Sequence, residues 1–171
     1  SIKDAEIMYE GKRSPLTKIM TSIELNYKKA PFFKDYADDL IILFNQKPEY
    51  ISNLNENIIR WVCKKLLINT PLVKSSNLNV SGAKADLLVD ICNVQNASHY
   101  ISPPGSKVYI DETDAFELSQ IPVSYFYYNH PKYFQLHGDF VPYMCILDLL
   151  FNVGPKSANL IKTGGLQEYR A

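Results

Sequence analysis

The sequence predicts an α/β fold: an open, mostly parallel, Rossmann-like sheet preceded by an N-terminal helical part. Three observations lead there. Apolar residues recur at helical spacing through the first 68 positions, and from Thr70 onward short β-branched or aromatic runs alternate with helical patterns. That alternation, strand, helix, strand, helix, strand, has the spacing of right-handed crossover units, which build parallel sheets. The chain of 171 residues is long enough for one ordinary core, so a single domain is expected over 1–171, mainly helical over 1–68 and α/β over 69–171, where it ends in an apolar helix.

The elements follow in order. Ile2, Ala5, Ile7 and Tyr9 suggest a short extended segment before Gly11, with Lys12 and Arg13 in a turn. Ser14 is a capping residue and Pro15 suits a first turn, after which Leu16, Ile19, Met20, Ile23 and Tyr27 form a helical stripe ending before Pro31. A second helix carries Phe33, Tyr36, Leu40, Ile41 and Phe44 and stops before Pro48, with Asp35, Asp38 and Asp39 favouring its early turns. Ser52 caps a third, striped by Leu54, Ile58, Trp61, Val62, Cys63, Leu66 and Leu67, with Lys64 and Lys65 at its C-terminal end.

Thr70–Lys74 then reads as a strand, and Ser81 or Gly82 opens a helix through Ala85, Leu87, Leu88, Ile91 and Cys92. His99–Ile101 is a second short strand stopped by Ser102, Pro103, Pro104 and Gly105, and Val108–Ile110 a further extended piece. Asp111 or Thr113 caps a short helix through Ala115, Phe116 and Leu118. The strand from Ile121 to about Asn129 is apolar on both sides, as a strand covered on both faces would be. A polar loop follows, and then a buried helix with Pro142 at its first position, Asp148 as its single charge and Gly154 just past its end.

Composition excludes several function classes. Lysine plus arginine equals aspartate plus glutamate, 18 of each, and no basic block is present, so nucleic acid is not an expected partner. Cys63, Cys92 and Cys145 lie in apolar helical patterns outside any zinc spacing and read as reduced, buried thiols of a cytoplasmic protein. No apolar run approaches the roughly 20 residues of a membrane span. No metal site and no cofactor are expected.

In open parallel sheets, ligands bind outside the carboxyl ends of the strands near a topological switch point. Three loops would converge there: Ser75–Asn77, Ser102–Ser106 and Asn129–Asp139. They offer hydroxyls, backbone amides, two histidines and tyrosines able to stack on a sugar or base. Each candidate has two readings. Ser102-Pro-Pro-Gly-Ser106 is either an anion cradle of backbone N–H groups or a stiff turn whose prolines remove donors. His130 is either a general acid or base or a hydrogen-bonded loop residue. His137 and His99 are weaker candidates for a ligand-facing role. Asp148 is either a site carboxylate or a structural one that pairs with a base such as Lys107.

Particular residues resemble those of the WbqC-like protein family. They are Tyr100-Ile-Ser102, Gly105, Tyr109-Ile-Asp111, Phe116, Tyr128, Pro131, Tyr133, Gln135 and Asp148-Leu-Leu-Phe-Asn152 with Gly154. Earlier pieces agree: Ile23–Tyr27, Ala30-Pro-Phe-Phe33, Leu54-Asn55 and Ser75-Ser76. The resemblance implies a bacterial protein encoded among genes for O-antigen and other surface polysaccharides. It suggests a transferase acting on a nucleotide-activated or amino sugar, by acyl, aminoacyl or nucleotidyl transfer. His130 and Asp148 would then be catalytic, with Ser75, Ser76, Ser102, Gly105, Tyr109, Tyr133, Gln135 and Asn152 binding ligand. Two rival readings are a non-catalytic binding or scaffold module and a subunit of an oligomer in which a second chain supplies missing strands. The family's N-terminal strand and its His-Gln-Pro-Asn-Tyr-Leu-Pro-Trp type motif have no counterpart, so the chain is expected to be N-terminally incomplete relative to the family. Cys145 also stands where the family more often has serine.

Overall fold

The computed structural model describes residues 5–7 and 15–169. Eight α-helices and three strands are formed among them. The helices are α1 (Pro15–Tyr27), α2 (Phe33–Asn45), α3 (Ile51–Lys65), α4 (Lys84–Val94), α5 (Lys107–Asp111), α6 (Ala115–Leu118), α7 (Ile146–Val153) and α8 (Ser157–Lys162). The strands are β1 (Tyr100–Ser102), β2 (Val123–Tyr128) and β3 (Gly165–Tyr169). The chain divides into two compact units, one of 1–69 with 130–163 and the other of 70–129 with 164–171.

The first unit is helical, and its three N-terminal helices fall where the apolar stripes and prolines place them. Ala5–Ile7 pairs with the entry to α3 through Ile7 N–H to Glu49 O and Ile51 N–H to Ala5 O, both 2.9 Å. The remainder of the extended segment expected before Gly11, and the Ser14 cap, lie outside the described residues. Tyr50 rather than Ser52 stands at the N-cap of α3. That helix ends in a Schellman arrangement, with Ile68 N–H bonded to Cys63 O at 2.8 Å and Leu67 at φ +56°.

The core of this unit is built from Ala30, Tyr36, Leu40, Trp61, Leu66, Leu150 and Phe151. It therefore includes α7: the apolar helix expected to close the α/β part belongs with the N-terminal helices. Tyr27 and Phe33 flank the fully buried Phe151 at ring separations of 5.2 and 5.1 Å. Phe32 N–H also donates to Phe151 O at 2.9 Å. The helix starts at Ile146, later than Pro142 suggests, because Tyr143 sits at φ +62° and cannot continue a right-handed helix. Gly154 does end it, at φ +62°.

The second unit carries a small mixed sheet. β1 pairs parallel with β2 through Tyr100↔Val123 and Ser102↔Tyr125, and β2 pairs antiparallel with β3. The chain is thus mixed α/β, and among the described residues the sheet has three strands rather than the open, mostly parallel Rossmann-like arrangement expected. Thr70–Lys74 is extended but enters no strand, and Val108–Ile110 lies in α5, whose inward residue Ile110 is fully buried. The antiparallel partner β3 and helix α8 both follow Gly154, where the sequence pattern predicts no element. The strand expected from Ile121 is shorter, and only its first half is covered on both faces: Val123, Ser124 and Tyr125 are buried, whereas Phe126 and Tyr127 are exposed. Ala85 and Cys92 of α4 pack with Ile110, Phe116, Ile121, Val123 and Tyr125 in a second core.

Gly154 tests the packing of α7. A Cβ there would run into the ring of Phe32, at a φ that L-residues rarely adopt. Strain and overpacking together predict that Gly154→Ala destabilises the fold by about 2–4 kcal/mol, measured by urea denaturation, with α-helical circular dichroism retained before the transition.

Candidate functional site

Within the first unit the folded chain gathers three of the sequence-predicted residues around the carboxylate of a fourth. Asp148 is 4% exposed, and a buried carboxylate is costly unless donors surround it. They come from the 130–145 loop and from α7 itself. Tyr133 Oη donates to Asp148 Oδ2 at 2.8 Å and Gln135 Nε2 to the same oxygen at 2.9 Å. Asn152 Nδ2, one helical turn on, donates to Asp148 Oδ1 at 3.1 Å and to its carbonyl at 2.8 Å. Lys107, the base proposed from sequence, belongs to the other unit, where its ammonium lies over the Tyr125 ring at 5.4 Å.

Gln135 has a second task. Its Oε1 accepts Val141 N–H at 2.7 Å while its Nε2 donates to Val141 O at 3.0 Å. One side-chain amide thus ties the two ends of the 135–141 loop together and anchors both to Asp148.

Tyr27, which the sequence reading assigned to the apolar stripe of α1, is the residue it missed. Burial, and then the charge and hydrogen bond of Asp148, push the Tyr27 phenol up to about 12 from the usual 10.0. Burial and the bond to Asp148 raise Tyr133 as well. Both are therefore neutral hydroxyl donors at any physiological pH. The available signal was the Ile23–Tyr27 stretch, which is part of the family resemblance. Asn152 Oδ1 is buried and has no hydrogen-bond partner among the described residues.

The other loop residues are more open. His130 is half-buried, and its ring meets the ring of Tyr143 edge-on, with centroids 4.6 Å apart. Tyr143 is 79% exposed at a strained φ of +62°. His137 Nε2 bonds Asn26 O at 2.8 Å, which gives that histidine a structural partner. Cys145 is exposed at the N-cap of α7, not buried as its apolar surroundings suggest; Cys92 is buried and Cys63 partly so.

The second unit holds the remaining candidates. Ser102 and Ser106 are buried and hydrogen-bonded to each other, and Ser106 Oγ donates to Pro103 O at 2.7 Å. Their hydroxyls are bonded within the turn, and a Cβ at Gly105 would meet nothing within 4 Å. Tyr109 is partly buried against the core. Ser75 and Ser76 stand exposed on a 3-10 turn. His99 Nε2 pairs with the fully buried Ser124 Oγ at 2.5 Å. Among the described residues no three His, Cys, Asp or Glu side chains are grouped to hold a metal ion.

A family model described as the WbqC-like protein family matches residues 1–160. The chain is 35% identical over 143 residues to the uncharacterized protein Rv1507c of Mycobacterium tuberculosis, an alignment covering 82% of this chain and 62% of that one. It thus spans less than two thirds of that relative's length. No solved structure matches the chain.

Two outcomes follow from the carboxylate. Asp148→Asn exchanges an acceptor for an amide facing two phenols and is expected to cost roughly 1–3 kcal/mol, measured by urea denaturation. The raised Tyr27 phenol favours the folded state while protonated; that contribution is complete below pH 10.0 and is lost as the pH rises through about 12. The urea midpoint should therefore fall above pH 10, and less steeply in Tyr27→Phe.

Proposed function

Because the chain belongs to the WbqC-like protein family, we propose that it acts in the assembly of bacterial surface polysaccharide, O-antigen included. It would do so as a cytoplasmic transferase that binds a nucleotide-activated or amino sugar. Family membership supports the pathway. The observation that supports a site is the buried Asp148, whose hydrogen bonds to Tyr133 and Gln135 hold the loop bearing His130. Among the described residues no helix is long and apolar enough to cross a membrane.

In this reading His130 is the proton-transfer residue. Its imidazole takes the proton of an acceptor hydroxyl or amine as that group attacks the activated donor, and later returns it to solvent or to the leaving group. Tyr143, ring edge against His130 and largely exposed, offers an aromatic surface on which a sugar or base can stack. Asp148 and Asn152 are positioning residues, acting through Tyr133 and Gln135. Ser75, Ser76 and Gly105, also proposed for ligand, are exposed positions of the other unit, where the Ser102 hydroxyl bonds Ser106. The group transferred is acyl, aminoacyl or nucleotidyl.

One observation favours a second reading, a non-catalytic binding or scaffold module. Between α1 and α2 runs a groove of about 370 Å³ lined by Leu16, Met20, Ile41 and Phe44, with Glu24 and Lys47 also in its lining. A partner protein, rather than a sugar nucleotide, would suit it.

Screening UDP- and dTDP-sugars for binding and turnover separates the two. Under the transferase reading His130→Ala should lower turnover at least about 100-fold with an unchanged melting temperature. Undiminished turnover in that variant would remove His130 from the chemistry, and failure of every sugar nucleotide to bind would favour the scaffold.

A further inference from the structure

The second unit contains two unsatisfied features that complement each other. The first is an edge. β1 ends the strand order, and its Tyr100 N–H donates to Pro122 O at 3.0 Å. In a parallel ladder, alternate residues bond to one neighbour, so both polar groups of Ile101 point away from β2 and have no partner among the described residues. Ile101 is 57% exposed.

The second feature is the segment Thr70–Lys74. Its sequence, TPLVK, has the composition of a strand, yet every residue in it is exposed, Leu72 at 41% and Val73 at 56%. Thr70 to Val73 make no hydrogen bond among the described residues; the carbonyl of Lys74 accepts Asn77 N–H at 3.0 Å. Over Thr70–Val73 the backbone polar groups and the apolar side chains are short of a partner.

We propose that Thr70–Lys74 is a latent fourth strand, which closes parallel to β1 along that open edge within the same chain. Connectivity favours this occupant. Residues 75–99, with α4 among them, exceed the dozen or so needed for a parallel crossover, and such crossovers are right-handed almost without exception. A tethered strand also outcompetes the same strand of a second copy by its effective concentration. The register makes Pro71 the first residue of the strand. With Leu72 opposite Ile101, Ile101 N–H donates to the Pro71 carbonyl and Val73 N–H donates to the Ile101 carbonyl; the proline nitrogen faces the same edge, but at the first paired position, where a proline is tolerated. Val73 then lies on the side of Tyr100 and Ser102, the covered face of β1, and Leu72 beside Ile101. Closure also brings Ser75–Asn77 to the carboxyl end of the new strand, next to the carboxyl end of β1 and its Pro103–Gly105 turn. Two of the three polar loops expected from sequence would meet there. The proposal stands whether or not the chain is a transferase.

Amide hydrogen exchange on the full chain tests it. The closed register predicts that the Val73 amide exchanges at least about tenfold more slowly than that of Leu72, which faces the outer edge. Equal, unprotected rates at both would overturn the proposal, as would protection that vanishes on dilution, since that is the mark of a second copy. A covalent check uses the pair Leu72→Cys and Ile101→Cys with the three native cysteines changed to alanine. Mild oxidation should give an intrachain disulfide in the monomer; cross-links found only between chains, or none at all, would refute closure.

Discussion

A carboxylate withdrawn from water has to be surrounded by donors, and much of the first unit is arranged to supply them to Asp148. The charge sits in the first turn of α7, where exposed N–H groups and the helix dipole favour it. The remaining donors come from Tyr133 and Gln135 of the preceding loop and from Asn152 a turn later. Tyr27 brings the end of α1 to the same point. Removing any one of these takes a donor from a buried carboxylate, so helix, loop and neighbouring helix are determined together rather than singly.

The same segment shows how closely packing and chemistry are interleaved. Asp148 and Asn152 face the loop, whereas Leu150 and Phe151, between them in sequence, face the helical core. Phe32 bonds the backbone of Phe151 and covers Gly154. Two of the short motifs that resemble the family, Ala30–Phe33 and Asp148–Gly154, are thus pieces of one packed junction. They identify the fold more directly than they identify a reaction.

Local signals reported what is local. The bounds of α1 and α2, the glycine end of α7 and the loop around His130 were legible because prolines, stripes and caps act over a few residues. Thr70–Lys74 was misread as a formed strand because strand composition cannot say whether a partner edge is in place. Val108–Ile110 was misread because three β-favouring residues fit a helical turn that buries Ile110. The helix at Pro142 was placed four residues early, since nothing in Pro-Tyr-Met-Cys announces a left-handed Tyr143. Asp148 stood out as the single charge of an apolar helix, but its donors, Tyr133, Gln135 and Asn152, are not the base that the sequence suggested. Tyr27 was not anticipated, since its partner lies more than a hundred residues away, beyond the reach of periodicity.

The amide clamp between Gln135 and Val141 has an evolutionary consequence. By closing the loop at its base, it leaves Leu136–Phe140 joined to the rest of the molecule through Leu136, which packs against the helical core, through His137, and through Phe140, whose ring meets that of Tyr133. Gly138 and Asp139 at the tip are exposed, and Gly138 already occupies a glycine conformation that can open into a longer turn. Insertions and substitutions there would leave Asp148 and its donors in place. Descendants of this chain therefore have a spot at which to alter what they recognise while keeping the scaffold that presents it.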